Sequence, residues 1–162
     1  ILSVHPFTSG LEPLLFFSGY RRRFCDGVEL YKRYFHAANL LGANLLVLHG
    51  DRRISQKPRS AYFDAFGELA GEGRAIGVTV AQENVPRCAS YCLIFFAICS
   101  IPAGRAVCAR YQTSCARGYT PGEMARAMGS GVVHLHVSDH NAKNDCLRSE
   151  PAILIWLLYC GR

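Results

Sequence analysis

The chain has 162 residues, half of them hydrophobic and 19% charged. That balance describes one globular domain with a real core and excludes a disordered chain. The net charge of +6 suits a solvated cationic surface or an anionic partner, either a phosphorylated small molecule or a nucleic acid.

The chain opens Ile1-Leu2-Ser3-Val4-His5, with neither a basic leader nor a small-residue cleavage site, so a cytoplasmic protein is expected. The missing initiator methionine reads as an N-terminally incomplete chain. The longest apolar run, Ala152 to Cys160, is far short of the roughly 20 residues that cross a bilayer, and no membrane span is expected. There are eight cysteines. Neither the Cys88/Cys92 nor the Cys108/Cys115 spacing is that of a zinc ribbon, so reduced thiols are expected.

In chain order, residues 1–7 read as a strand ending at His5-Pro6-Phe7. A loop carrying Arg21, Arg22 and Arg23 follows. Residues 26–41 read as a helix, with Val28, Tyr31, Phe35 and Ala38 at helical spacing, Asp26 as N-cap and Gly42 as the stop. Residues 43–49 form a short apolar run, the pattern of a parallel strand buried on both faces. A polar loop from Arg52 to Arg59 leads to a second helix from about Ser60, and Gly77 closes it. Residues 78–85 read as the third strand, 89–100 as a helix and 105–111 as the fourth strand. Thr120-Pro121-Gly122-Glu123 is a capping-box helix start, and that helix runs to about Met128. Residues 132–137 form the fifth strand.

Alternating strands and helices with short connections imply parallel strands and right-handed crossovers. His5, His49, Glu83 and His136 each fall at or beside the C-terminal end of an expected strand. One polar group per strand end is the logic of a barrel. A doubly wound sheet would bring a glycine-rich phosphate loop, and neither G-x-G-x-x-G nor a Walker pattern is present.

The segments LLVLHGD, GVTVAQENVPR and GYTPGEMARAMGSGVVHLHVSDHN resemble sugar phosphate isomerases/epimerases of the xylose isomerase-like TIM-barrel superfamily, which also holds metal-dependent apurinic endonucleases. The resemblance covers about residues 1–91 and 117–147. It implies an α/β, incomplete TIM (β/α)8-type barrel of about five βα units, the third to seventh strands of the family barrel, as a single domain over 1–162. It also implies a divalent metal at the strand ends, Mn²⁺ or Mg²⁺ in the epimerase branch and Zn²⁺ in the endonuclease branch. Glu83 and His136 match two of the family's ligands. His5 and His49 match positions that line the pocket in one branch and bind further metal in the other. The family's aspartate would fall near Arg110, and no counterpart of its last glutamate is found.

Two segments depart from the pattern. From residue 84 to 122 there is no Asp, Glu or Lys, and after Cys146 the chain turns into an atypical apolar tail, 148–162. Residues 92–116 and 148–162 both read as though the reading frame had been lost.

Glu83 is therefore expected as a metal ligand and acid/base group, and His136 as a metal ligand. His134 shares a strand face with His136 and is expected as a pocket or core histidine. His5, His49, Asn84 and Asp139 are expected to line the pocket, with Arg52 and Arg53 offered to a phosphate. The reaction implied is proton transfer next to a carbonyl on a sugar or sugar phosphate, with the metal stabilising the enediolate. A nuclease-type phosphodiesterase is the alternative, although the missing aspartate and the lack of aromatic wedges in a basic loop argue against a nucleic-acid partner. An inactive truncated remnant is the third reading.

Overall fold

The computed structural model describes residues 1–98, 106–110, 118–136, 139–140 and 145–147. The expected tail 148–162 lies outside them. The first ordered segment is a 3-10 turn, Phe7–Leu11, followed by α1 (Glu12–Leu15), α2 (Arg21–Leu40), β1 (Leu45–Leu48), α3 (Arg59–Ala75) and β2 (Thr79–Glu83). Then come a 3-10 turn at Ala89–Tyr91, α4 (Leu93–Ile98), β3 (Ala106–Arg110), α5 (Pro121–Met128) and β4 (Val132–His136). Asp139–His140 (β5) and Asp145–Leu147 (β6) form a small antiparallel pair.

β1 to β4 make one sheet in chain order, every pair parallel. The architecture is α/β, an incomplete TIM-type barrel with helices on the outer face. Alternation along each strand divides the sheet's two faces. Leu46, Leu48, Val80 and Val107 join the helices in one core, while Leu45, Val47, Ala81, Ala106 and Cys108 form a second cluster on the inner face. Two residues beyond Val47, Ala81 and Cys108 on that inner face stand His49, Glu83 and Arg110.

Three expectations for the first 41 residues need correction. Residues 1–7 are not a strand. Val4 alone bridges Leu46, with its N–H donating to the Leu45 carbonyl at 2.9 Å and its carbonyl accepting from Val47 at 3.0 Å. Pro6 has no N–H to extend the ladder, and the chain turns at Phe7. The three arginines are not in a loop, because α2 begins at Arg21. Asp26 consequently lies inside the helix, and Tyr20 occupies the cap position without a side-chain bond. A missing cap costs about 1 kcal/mol and cations at a helix N-terminus are mildly unfavourable. Burial of Phe24, Val28, Tyr31 and Phe35 outweighs both, at about 1.5–3 kcal/mol each. Arg21 also forks onto Glu68 of α3 at 2.7 and 2.5 Å.

The expected helix 89–100 is broken at the extended Cys92 into a 3-10 turn and α4, and its last two residues lie outside the described ones. Gly42 and Gly77 follow their helices with φ of 68° and 80°, and Thr120 and Glu123 close the capping box on each other. Within the carboxylate-free stretch, Cys92, Phe95, Phe96, Val107 and Cys108 are buried in the two clusters.

Gly50, after β1, has φ of 90°. A Cβ there would sit inside van der Waals contact with the Tyr62 hydroxyl and 3.1 Å from Gln82 Oε1. Gly50→Ala is expected to destabilise the fold by about 2–4 kcal/mol, combining left-handed strain with overpacking. A urea midpoint unchanged from wild type would contradict this.

Candidate metal centre

Glu83 ends β2 with no solvent exposure. Its Oε1 accepts from His136 Nδ1 at 2.8 Å, and Arg110 Nη1 stands 3.5 Å away. Because the carboxylate faces Nδ1, the proton of neutral His136 is placed there. Nε2 is left to accept from His5 Nε2, 3.1 Å away. On the other side His49 Nε2 comes within 2.9 Å of Glu83 Oε2. That approach lies outside the cone of a directed N–H···O bond, so Oε2 is a buried oxygen without an aligned donor. Arg87 Nη2 donates to His49 Nδ1 at 2.9 Å, which makes Nδ1 the acceptor nitrogen of the ring.

Burial alone would raise the Glu83 pKa. The close approach and charges of His136 and His49 outweigh it and hold the carboxyl below its ordinary value. His5 is lowered chiefly by burial, partly offset by Glu83 and reinforced by the neighbouring histidines. His134 is lowered by burial and then by His136.

His5, His49 and Glu83 offer ligand atoms within 4.8 Å of one another, and so do Cys108, His134 and His136. A buried carboxylate oxygen lacking a donor, ringed by imidazoles, is the environment a divalent cation would satisfy. The residues fit a metal.

Each residue expected from sequence can now be placed. His5, His49, Glu83 and His136 meet in one cluster. His134 lies beside His136 with its Nε2 3.3 Å from Ser3 Oγ. Asn84 is spent on structure: its Nδ2 donates to the Arg110 carbonyl at 3.0 Å and its Oδ1 accepts from the Arg110 N–H at 2.5 Å, tying the end of β2 to β3. Asp139 falls on β5, outside the sheet of four. Arg53 stacks over Tyr91 at 5.3 Å and lines a 380 Å³ cavity with Lys57 and Tyr62. The donor cluster does not line that cavity, and Arg52 is exposed. The arginine beside His49 is Arg87.

Two further residues went unremarked in the sequence. Glu12 is fully buried. Its Oε1 accepts from the Tyr31 hydroxyl at 2.8 Å, and its Oε2 from the amides of His49 and Gly50 at 2.8 and 2.7 Å. Burial raises its pKa to about 7 despite those donors. Gln82 donates through Nε2 to the carbonyls of His49 and Glu83 at 2.9 and 2.8 Å and accepts from Tyr62, so it locks two strand ends together. Both sit in local patterns, an amphipathic turn and an apolar strand, that give no cue to what their polar ends meet.

No family model and no curated protein matches the chain. Solved structures do. One is the probable 3-DHS dehydratase AsbF of Bacillus anthracis, involved in petrobactin synthesis, with TM-score 0.68 and 12% identity over 86% of this chain. A second is a D-tagatose 3-epimerase-like protein, with TM-score 0.71 and 18% identity over 98%. A third is protein SMc04130 of Sinorhizobium meliloti 1021, with TM-score 0.58 and 19% identity over 91%. The chain spans 52%, 66% and 63% of those chains. It shares their fold. Among the described residues no helix is long and apolar enough to cross a membrane.

Proposed function

We propose that the chain is part of a metal-dependent enzyme of the sugar isomerase/epimerase kind, acting on a small sugar or sugar phosphate. The observation that carries this reading is the buried Oε2 of Glu83, without an aligned donor, inside a ring of histidines at the strand ends. The likeness to a D-tagatose 3-epimerase-like protein supports it. Glu83 and His136 would hold a divalent cation, and the cation supplies Lewis acidity toward a substrate carbonyl oxygen. Glu83, kept ionised by its imidazole neighbours, accepts the proton from the carbon next to that carbonyl and returns it. His136 is held in one tautomer by Glu83, and Arg87 holds His49. Glu83 is the one carboxylate in the two donor groups among the described residues.

Hydrogen exchange tests this. In D₂O with a divalent metal, the chain is expected to wash deuterium into D-tagatose at the carbons flanking its carbonyl, read by NMR. The Glu83→Gln chain should not. A wild-type chain that retains no metal after dialysis would refute the proposal.

The phosphodiesterase reading keeps one specific support, the approach of His5 and His49 to Glu83, which would serve additional metal ions. Metal stoichiometry separates the two: one ion per chain for the epimerase reading, three for the nuclease reading.

A further inference from the structure

The family pattern asks for a carboxylate at the end of β3, and Arg110 stands there instead. One step deeper on the same inner face, two residues earlier, is Cys108. It is fully buried and pairs in register with Glu83 on one side and His134 on the other. Its Sγ lies 3.5 Å from His136 Nδ1, the nitrogen that also faces Glu83. Cys108, His134 and His136 present their ligand atoms within 4.8 Å of one another. The cysteine spacings gave no zinc pair, and the structure supplies a different grouping: one sulfur from β3 and two imidazoles from β4.

We propose that Cys108 is the protein ligand that β3 contributes to this centre, and that the centre consequently selects a thiophilic, zinc-class ion over Mn²⁺ or Mg²⁺. The inference rests on the reading that Glu83 and His136 hold a metal. Thiolate and imidazole ligands suit zinc and cobalt, whereas magnesium and manganese favour oxygen. As the metal–sulfur bond forms, the thiol proton leaves to solvent. The buried Oε2 of Glu83, lacking an aligned donor, is the second sign that this pocket is shaped for a cation. Arg110, whose Nη1 stands 3.5 Å from Glu83 Oε1, then has no ligand role.

Cobalt(II) is the probe. Adding it to the purified chain is expected to produce visible d–d bands and a near-ultraviolet sulfur-to-cobalt charge-transfer band. Cys108→Ser should lose the charge-transfer band and weaken zinc binding by more than about ten-fold. Cys88→Ser should keep the band. If Cys108→Ser does not fold, X-ray absorption of the zinc-loaded wild type decides, with a sulfur scatterer expected at about 2.3 Å. Cobalt bound with d–d bands but no charge-transfer band, or a band that survives Cys108→Ser, overturns this inference and leaves the metal centre standing. A wild-type chain that binds neither cobalt nor zinc overturns the metal reading and this inference with it.

Discussion

Glu83→Gln is expected to abolish divalent metal binding while the chain stays folded. The amide has the same shape, so the inner face keeps its packing. His136 Nδ1–H can still donate to the amide oxygen. What is lost is the anion among three imidazoles. Affinity should fall by more than about 100-fold, because even groups that only orient ligands cost 10- to 100-fold. Stability should fall by about 1.5–3 kcal/mol, the worth of a hydrogen bond to a charged group. Calorimetric titration with zinc, alongside urea melts, reads both numbers. Metal affinity equal to wild type would remove Glu83 from the centre.

Glu12 should behave in the opposite way. Its folded pKa of about 7 lies above the ordinary value of 4.5, so the folded state binds the extra proton between those values. Its contribution to stability is present in acid and is lost as pH rises from 4.5 to 7, by roughly 3 kcal/mol in total. Glu12→Gln removes that loss. Gln can accept from the His49 and Gly50 amides through its oxygen and donate to a rotated Tyr31 hydroxyl. The variant should match wild type near pH 5 and exceed it above pH 7. Glu12→Leu leaves two amides and the Tyr31 hydroxyl without partners and should cost about 3–6 kcal/mol at either pH. Melting curves at pH 5 and pH 8 separate these outcomes, and a Gln variant less stable at both would defeat the account.

Much of this was readable from spacing. The apolar run 43–49 and the strand-end positions of His49, Glu83 and His136 follow from periodicity, because parallel strands are buried on both faces and their polar residues collect at one end. His134 and His136 were placed on one side by alternation alone. The start of α2 was not readable, since three arginines and no cap oppose a helix there and only tertiary burial reverses the balance. Glu12 was hidden for a similar reason. Its partners are backbone amides 37 and 38 residues away, and no local pattern records them. Cys108 was weighed against other cysteines along the chain, whereas its neighbours are histidines from the adjacent strand.

β3 and β4 do not pair evenly. Val107 faces Val132, yet Cys108 faces His134, so Val133 is skipped in the ladder. This extra residue lets Val132 pack with the helices while both histidines turn inward, and Val133 itself is 52% exposed. In genetic terms, part of the centre is written in residue count rather than residue identity. Losing codon 133 would close the ladder on the same partners and leave His134 and His136 facing Cys108 and Arg110. Losing codon 135 would make the two histidines neighbours and send one of them to the helix side. Point changes around the histidines leave their direction intact, while a one-codon deletion between them dismantles the pair.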